Sequence, residues 1–225
     1  MKKTIWYPLC FLCVLSSCKN VSDNKQIVDK SAQVIDNQAV KKKNILFFGN
    51  SLTAAYGLDD ISQGFVGLIQ SRIDSLNLPY TCINGGLSGE TTAGGNGRVD
   101  FVISQQPVDI FILELGGNDA LRGINPESSI KNLQSIVDKV KIKYPSVKII
   151  LAGMEAPRNM GAKYIADFHN IYPSLAKKNN LPLIPFILEG VGGIAELNQK
   201  DGIHPTEKGN LIIRETIWQS LQAQL

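Results

Sequence analysis

Histidine is scarce in this sequence. Only His169 and His204 stand among its 225 residues, so a zinc site built on three histidines is out of reach. Cysteine is scarce too, and four in the whole chain are too few for a disulfide scaffold. Neither sign of charge dominates. The 23 Lys and Arg against 20 Asp and Glu leave a formal +3, short of the basic excess a nucleic-acid binder carries. No apolar run reaches the roughly 18 residues a bilayer-spanning helix needs. What is present is a globular balance, 44% apolar and 19% charged, far from a disordered composition. The length allows one domain with attachments.

Residues 1–17 read as an export signal. Lys2 and Lys3 supply the positive start, and residues 5–15 the apolar core, too short for a span. Leu15-Ser16-Ser17-Cys18 then resembles the lipobox of bacterial lipoproteins, in which the cysteine after two small residues receives lipid. The alternative is an ordinary signal with an accidental cysteine. On the lipoprotein reading Cys10 and Cys13 leave with the signal and Cys18 is acylated. Only Cys82 remains, a small hydrophobe in a strand-like run. Residues 18–43 hold the lipidated cysteine and a polar tether ending in three lysines, with an r.m.s. span of about 25–30 Å. The charge divides unevenly: +2 in residues 1–17, +3 in residues 19–43 and −2 from Asn44 onward. The basic excess therefore belongs to signal and tether. The expectation is an exported bacterial lipoprotein, monomeric, anchored through Cys18 at the outer membrane or periplasmic face, with no nucleic-acid partner.

Residues 44–225 form the folded domain. Short apolar runs at 44–49, 80–84, 109–115, 147–152 and 183–186 predict five strands. Between them, helical spacing marks 64–76, with Phe65, Leu68, Ile69, Ile73 and Leu76 on one face. Residues 91–104 form a weaker helix, 126–144 the clearest one, and 162–179 another. Thr206 is the expected N-cap of a last helix over 207–221. Continuously apolar strands alternating with helices predict a parallel sheet covered on both faces. The expected fold is a flavodoxin-like, three-layer α/β/α sandwich on five parallel strands. In such sheets ligands bind beyond the carboxyl ends of the strands, so the strand exits are where chemistry is sought.

Four segments qualify. Gly49-Asn50-Ser51-Leu52-Thr53 follows the first strand. A serine there suits a nucleophile, although serine is also an ordinary turn residue, and Thr53 breaks the Gly-x-Ser-x-Gly elbow. Gly85-Gly86-Leu87-Ser88-Gly89-Glu90-Thr91 follows the second. Gly89 is read as opening a helix, where free N–H groups favour an anion. No phosphate-loop lysine follows and the Gly-x-Gly-x-x-Gly spacing is absent, so an oxyanion donor fits better than a nucleotide cradle. Gly116-Gly117-Asn118-Asp119 follows the third strand, and the Asn118 amide can donate two uncharged hydrogen bonds. Asp201-Gly202-Ile203-His204-Pro205 lies near the C-terminus. In so short a turn Asp201 can reach Nδ1 of His204 while Nε2 faces outward, the base-and-orienter half of a serine triad. His169 is read as structural or exposed. One His and one Asp make a poor metal site.

Together these four blocks resemble the SGNH (GDSL-type) hydrolases over residues 44–225. Leu113-Glu114-Leu115-Gly116-Gly117-Asn118-Asp119-Ala120-Leu121-Arg122-Gly123 and Tyr172-Pro173-Ser174-Leu175-Ala176 resemble the branch of thioesterase I, lysophospholipase L1 and arylesterase. The resemblance implies Ser51 as nucleophile, His204 as base and Asp201 as its orienter. It implies Ser51 N–H, Gly89 N–H and the Asn118 amide as the oxyanion hole. The chain departs from the family at Asn50, where Asp is usual; Asn keeps shape and an acceptor but loses the charge. No metal or organic cofactor is needed. The implied reaction is hydrolysis of small acyl esters, short-chain or aryl, of lysophospholipids or of thioesters, through an acyl-serine. Loops 120–125 and 156–161 are expected to line an acyl groove. Two other readings remain at this level: a carbohydrate or peptidoglycan O-acetylesterase of the same fold, and a lipoprotein that binds glycan or lipid without turnover.

Overall fold

The computed structural model describes residues 41–225. The signal peptide, Cys18 and nearly all of the tether lie outside the described residues. Five parallel strands form one sheet: β1 (Lys43–Gly49), β2 (Tyr80–Gly86), β3 (Ile110–Glu114), β4 (Lys148–Ala152) and β5 (Leu183–Ile184). They run in the order β2-β1-β3-β4-β5, the flavodoxin-like arrangement. β1 and β3 are central and apolar because both their faces are covered. Phe47 packs on Phe65, with ring centroids 6.0 Å apart, while Phe48 stacks on Phe111 at 5.6 Å.

Seven helices complete the layers. They are α1 (Phe65–Ser75), α2 (Thr92–Ser104), α3 (Gly117–Leu121), α4 (Pro126–Lys143), α5 (Ala162–His169), α6 (Ile171–Asn179) and α7 (Glu207–Leu221). α1 packs with α7, whereas α4 packs with α2 and α6. α4 buries Leu133, Ile136, Val137 and Val140, side chains worth about 1.5–3 kcal/mol each when fully buried. The α1–α7 pair is clipped by Asn210 Oδ1, which accepts the Phe65 N–H at 3.0 Å, and by Arg72 on Glu215. Thr206 caps α7 as expected, its hydroxyl accepting the Gly209 N–H at 3.3 Å. No helix among the described residues is long and apolar enough to cross a membrane.

Three local expectations need correction. Residues 162–179 are two helices and not one. Pro173 has no N–H for the His169 carbonyl and its ring crowds that turn, so the chain breaks at Asn170. The fifth strand stops at Ile184 because Pro185 cannot donate to a ladder. The third strand, expected over 109–115, ends at Glu114, and its exit coils into the short helix α3.

Register is what joins the strand exits. Gly49 is level with Gly86 on one side and with Glu114 on the other. The last residues of β1, β2 and β3 therefore end side by side.

Candidate active site

The turn after β1 is built around Asn50. Its Oδ1 accepts the Leu52 N–H at 2.9 Å, and its carbonyl accepts from Ala54 N–H at 3.0 Å. These two bonds wrap the chain into a tight turn with Ser51 at its crest. Gly49 has to be glycine here. A Cβ at that position would come within 2.1 Å of Thr53 Oγ1 and 2.7 Å of the Glu114 carbonyl, so any side chain would push the turn off the sheet.

Ser51 Oγ lies 2.8 Å from His204 Nε2, and His204 Nδ1 lies 2.7 Å from Asp201 Oδ2. The three residues predicted from two separate stretches of sequence are thus in series. The second carboxylate oxygen of Asp201 accepts the N–H groups of Ile203 (2.9 Å) and His204 (3.0 Å). The His204 hydrogen bond and these two N–H groups hold the Asp201 carboxyl down at about 2. The loop is tied back by Gln199 N–H on the His204 carbonyl at 2.7 Å. Tyr56 lies against the imidazole with ring centroids 4.7 Å apart. Asp201 is a fixed anion able to hold Nδ1–H and leave Nε2 free to take the serine proton.

Of the predicted anion donors, Ser51 and Asn118 line one cleft, and Gly89 is shaped otherwise than expected. Gly89 does not open a helix: α2 starts at Thr92, capped by Thr91. Gly89 instead sits at φ +79°, a conformation that glycine adopts without the penalty a Cβ brings. Neither its N–H nor that of Ser51 has an acceptor among the described residues. The Asn118 amide donates one hydrogen to the Glu90 carbonyl at 3.0 Å and keeps the other. Two arginines pin this loop. Arg122 donates to the Gly89 carbonyl at 2.9 Å, and Arg98 donates to the Gly85 carbonyl at 3.0 Å while paired with the buried Glu90. Asp119 is buried and accepts from the Thr92 N–H and hydroxyl and from the Ser129 hydroxyl, so it locks α2, α3 and α4 together.

A cleft of about 1050 Å³ opens over Ser51 and His204. Leu121, Met154, Ile165, Phe186 and Leu188 make much of its wall. The expected lining is met in part. Leu121 and residues 156–158 contribute, but Gly123, Asn125, Met160 and Gly161 line a neighbouring groove instead. Phe186, Leu188, Gly192 and Gly193 join the cleft unforeseen. His169, at the end of α5, is exposed and bonds Glu155 on the cleft wall at 2.7 Å.

Comparison with known proteins decides the family. Residues 47–212 match the GDSL-like Lipase/Acylhydrolase family. The chain belongs to that family. Esterase TesA of Pseudomonas aeruginosa is 37% identical over 194 residues, 86% of this chain and 95% of that protein. Thioesterase 1/protease 1/lysophospholipase L1 of Escherichia coli is 32% identical over 187 residues, 83% of this chain and 86% of that protein. A crystal structure of TesA superposes with a TM-score of 0.77 at 37% identity, covering 81% of this chain and all of that one. The GDSL-type fold, with its α/β/α layers, is therefore common to the chain and these relatives.

One part of the site escaped sequence reasoning. Behind Ser51 the carboxylate of Glu114, 1% exposed, accepts three donors. These are Asn50 Nδ2 at 2.7 Å, Asn50 N–H at 3.2 Å and Thr53 Oγ1 at 2.8 Å. Burial pushes the Glu114 carboxyl up to about 7, against the pull of the Thr53 and Asn50 hydrogen bonds. The only signal in the sequence was an acid at the end of an otherwise apolar strand.

Proposed function

We propose that the protein hydrolyses acyl esters through an acyl-serine. His204 Nε2 takes the proton of Ser51 as Oγ bonds to the substrate carbonyl carbon. The resulting oxyanion accepts from Ser51 N–H, Gly89 N–H and the free hydrogen of the Asn118 amide. A donor of this kind typically supplies about 3–4 kcal/mol. The bond to the leaving oxygen then breaks as that oxygen takes the proton from His204. Water repeats the sequence on the acyl-serine, giving the carboxylic acid and restoring the serine. Asp201 stabilises the imidazolium at both stages.

The observation that carries this reading is the unbroken hydrogen-bonded series Ser51–His204–Asp201, and the Ser51 and Gly89 N–H groups have no acceptor among the described residues. The relatives named as esterase and thioesterase/lysophospholipase support acyl substrates. The apolar cleft wall supports an acyl chain lying beside the serine. Ser51→Ala is expected to abolish p-nitrophenyl butyrate hydrolysis and fluorophosphonate labelling while the thermal melt stays near that of the parent. Turnover within tenfold of the parent would refute it, because a true nucleophile's loss typically costs about 10⁶-fold.

We further propose that lipid on Cys18 anchors the exported domain to a membrane. The positive start, apolar core and Leu15-Ser16-Ser17-Cys18 support this, as does a net basic excess confined to residues before Asn44. Metabolic labelling with a fatty-acid analogue should mark the full chain and not Cys18→Ser. Equal labelling of both would rule the anchor out.

A further inference from the structure

A carboxylate buried behind a nucleophile is costly. Desolvation disfavours its charge, and an apolar residue of similar size would fill the space at the end of β3. Glu114 is nevertheless met by three donors and no acceptor that needs a proton. All three belong to the turn that carries Ser51: both nitrogens of Asn50 and the hydroxyl of Thr53. The Asn50 amide is oriented by this contact. Its nitrogen donates to Glu114, so its oxygen is left to accept from Leu52 N–H at 2.9 Å, with Ser51 Oγ at 3.4 Å. The peptide linking Asn50 to Ser51 carries the free Ser51 N–H.

We propose that Glu114 is a positioning residue for the nucleophile, acting as a carboxylate through Asn50, and that asparagine stands at position 50 because it supplies the donor this carboxylate needs. The proposal rests on the reading of Ser51 as the nucleophile. An aspartate at 50 would put two carboxylates about 2.7 Å apart, where they must share one proton. With that proton the pair imitates the Asn–Glu contact. Without it, the two repel and the Ser51 turn shifts. The other groups that face this pair are few among the described residues. Thr53 comes from the same turn. The Tyr172 phenol on α6 has its ionisation opposed first by burial and then by Glu114. Asn50 Nδ2 passes 3.8 Å from a Cβ position at Gly117 on α3. No lysine or arginine among the described residues bonds Glu114.

The test is the pH profile of kcat/KM for p-nitrophenyl acetate, corrected for blank hydrolysis. The parent should hold its activity from pH 8 to 9.5. Asn50→Asp should work near neutrality and lose about tenfold or more by pH 9.5 as the shared proton leaves, since one of two adjoining carboxyls is strongly raised. The double variant Asn50→Asp with Glu114→Gln reverses donor and acceptor, and should recover the alkaline activity. A merely structural role would lower all pH values alike. An Asn50→Asp profile parallel to the parent, or no recovery in the double variant, would overturn the proposal.

If circular dichroism shows Asn50→Asp unfolded at any of these pH values, Glu114→Gln decides alone. Its kcat/KM should lie about tenfold or more below the parent's at pH 8, because the amide carries no charge, and its acid limb should be shallower than the parent's by the one proton that Glu114 no longer binds. Equal slopes would overturn the proposal. Ser51→Ala keeps the two readings apart: its loss of turnover tests the nucleophile, whereas the profiles compare enzymes that retain Ser51.

Discussion

Two carboxylates hold the two halves of this site, and they live in opposite surroundings. Asp201 holds the base from a turn at the surface, its side chain 40% exposed. Glu114 holds the nucleophile's turn from the end of a central strand, where it is buried. The His204 ring and backbone N–H groups pull Asp201 down to about 2, while burial lifts Glu114 to about 7. The same functional group thus serves as a cheap anion in one place and a costly one in the other. Position in the fold explains the difference. Asp201 lies three residues from the ring it orients, so a turn suffices. Glu114 reaches its partner only through strand register, and register is set where both faces of the sheet are covered.

The larger effect should come from the cheap anion, because it touches the reacting base. Asp201→Asn is expected to lower kcat by about 10³–10⁴-fold, since the amide can present its N–H to Nδ1 and leave His204 in the wrong tautomer. KM should change little, since Asp201 does not line the cleft. Stopped-flow acylation would separate this from slow product release. A loss smaller than tenfold would mean that the two carboxylates matter alike, and the contrast would fail. The stability arising from Asp201 is a separate and minor matter. A carboxyl lowered on folding stabilises above its unfolded value and loses that as pH falls toward 2. Solvent screens the pair, so it is worth under about 1 kcal/mol.

The asymmetry also sets what could be read from the chain alone. Ser51, Asp201 and His204 were legible because each follows a strand exit or lies within one short turn. β1 and β3 were legible because a short, continuously apolar run bounded by turn residues fits a strand covered on both faces and little else. α7 was legible because Thr206 begins it with a side-chain cap. Glu114 was absorbed into the apolar run that it terminates, since its partner is 64 positions away and only the level pairing of Gly49 with Glu114 joins them. Gly89 was put forward as a donor from an expected helix start that the structure does not show; a left-handed turn leaves its N–H without an acceptor among the described residues instead. The break at Asn170 was in plain view as Pro173, but apolar spacing continued across it and hid the missing hydrogen bond. Local chemistry is written locally; what depends on register or on a φ value is not.

The costly anion makes a smaller prediction, and in stability before activity. A carboxyl raised on folding from 4.5 to about 7 binds its proton more tightly in the native state. The stability this confers is complete below the unfolded value and is lost as pH rises through about 7. Glu114→Gln has no such proton. Its amide still fills the space and can meet Asn50 Nδ2 with its oxygen, while Thr53 turns its hydroxyl to accept. Below pH 4.5 the two proteins should therefore unfold at similar urea concentrations, apart from a pH-independent offset. Between pH 4.5 and 8 the parent should lose about 3 kcal/mol relative to the variant, because about 2.2 pK units of the shift, at about 1.4 kcal/mol each, fall within that range. Urea titrations at four pH values measure that slope. If the difference between the two proteins stays constant across the range, Glu114 is not ionised at the expense of the fold, and the carboxylate behind Ser51 costs no more than the one beside His204.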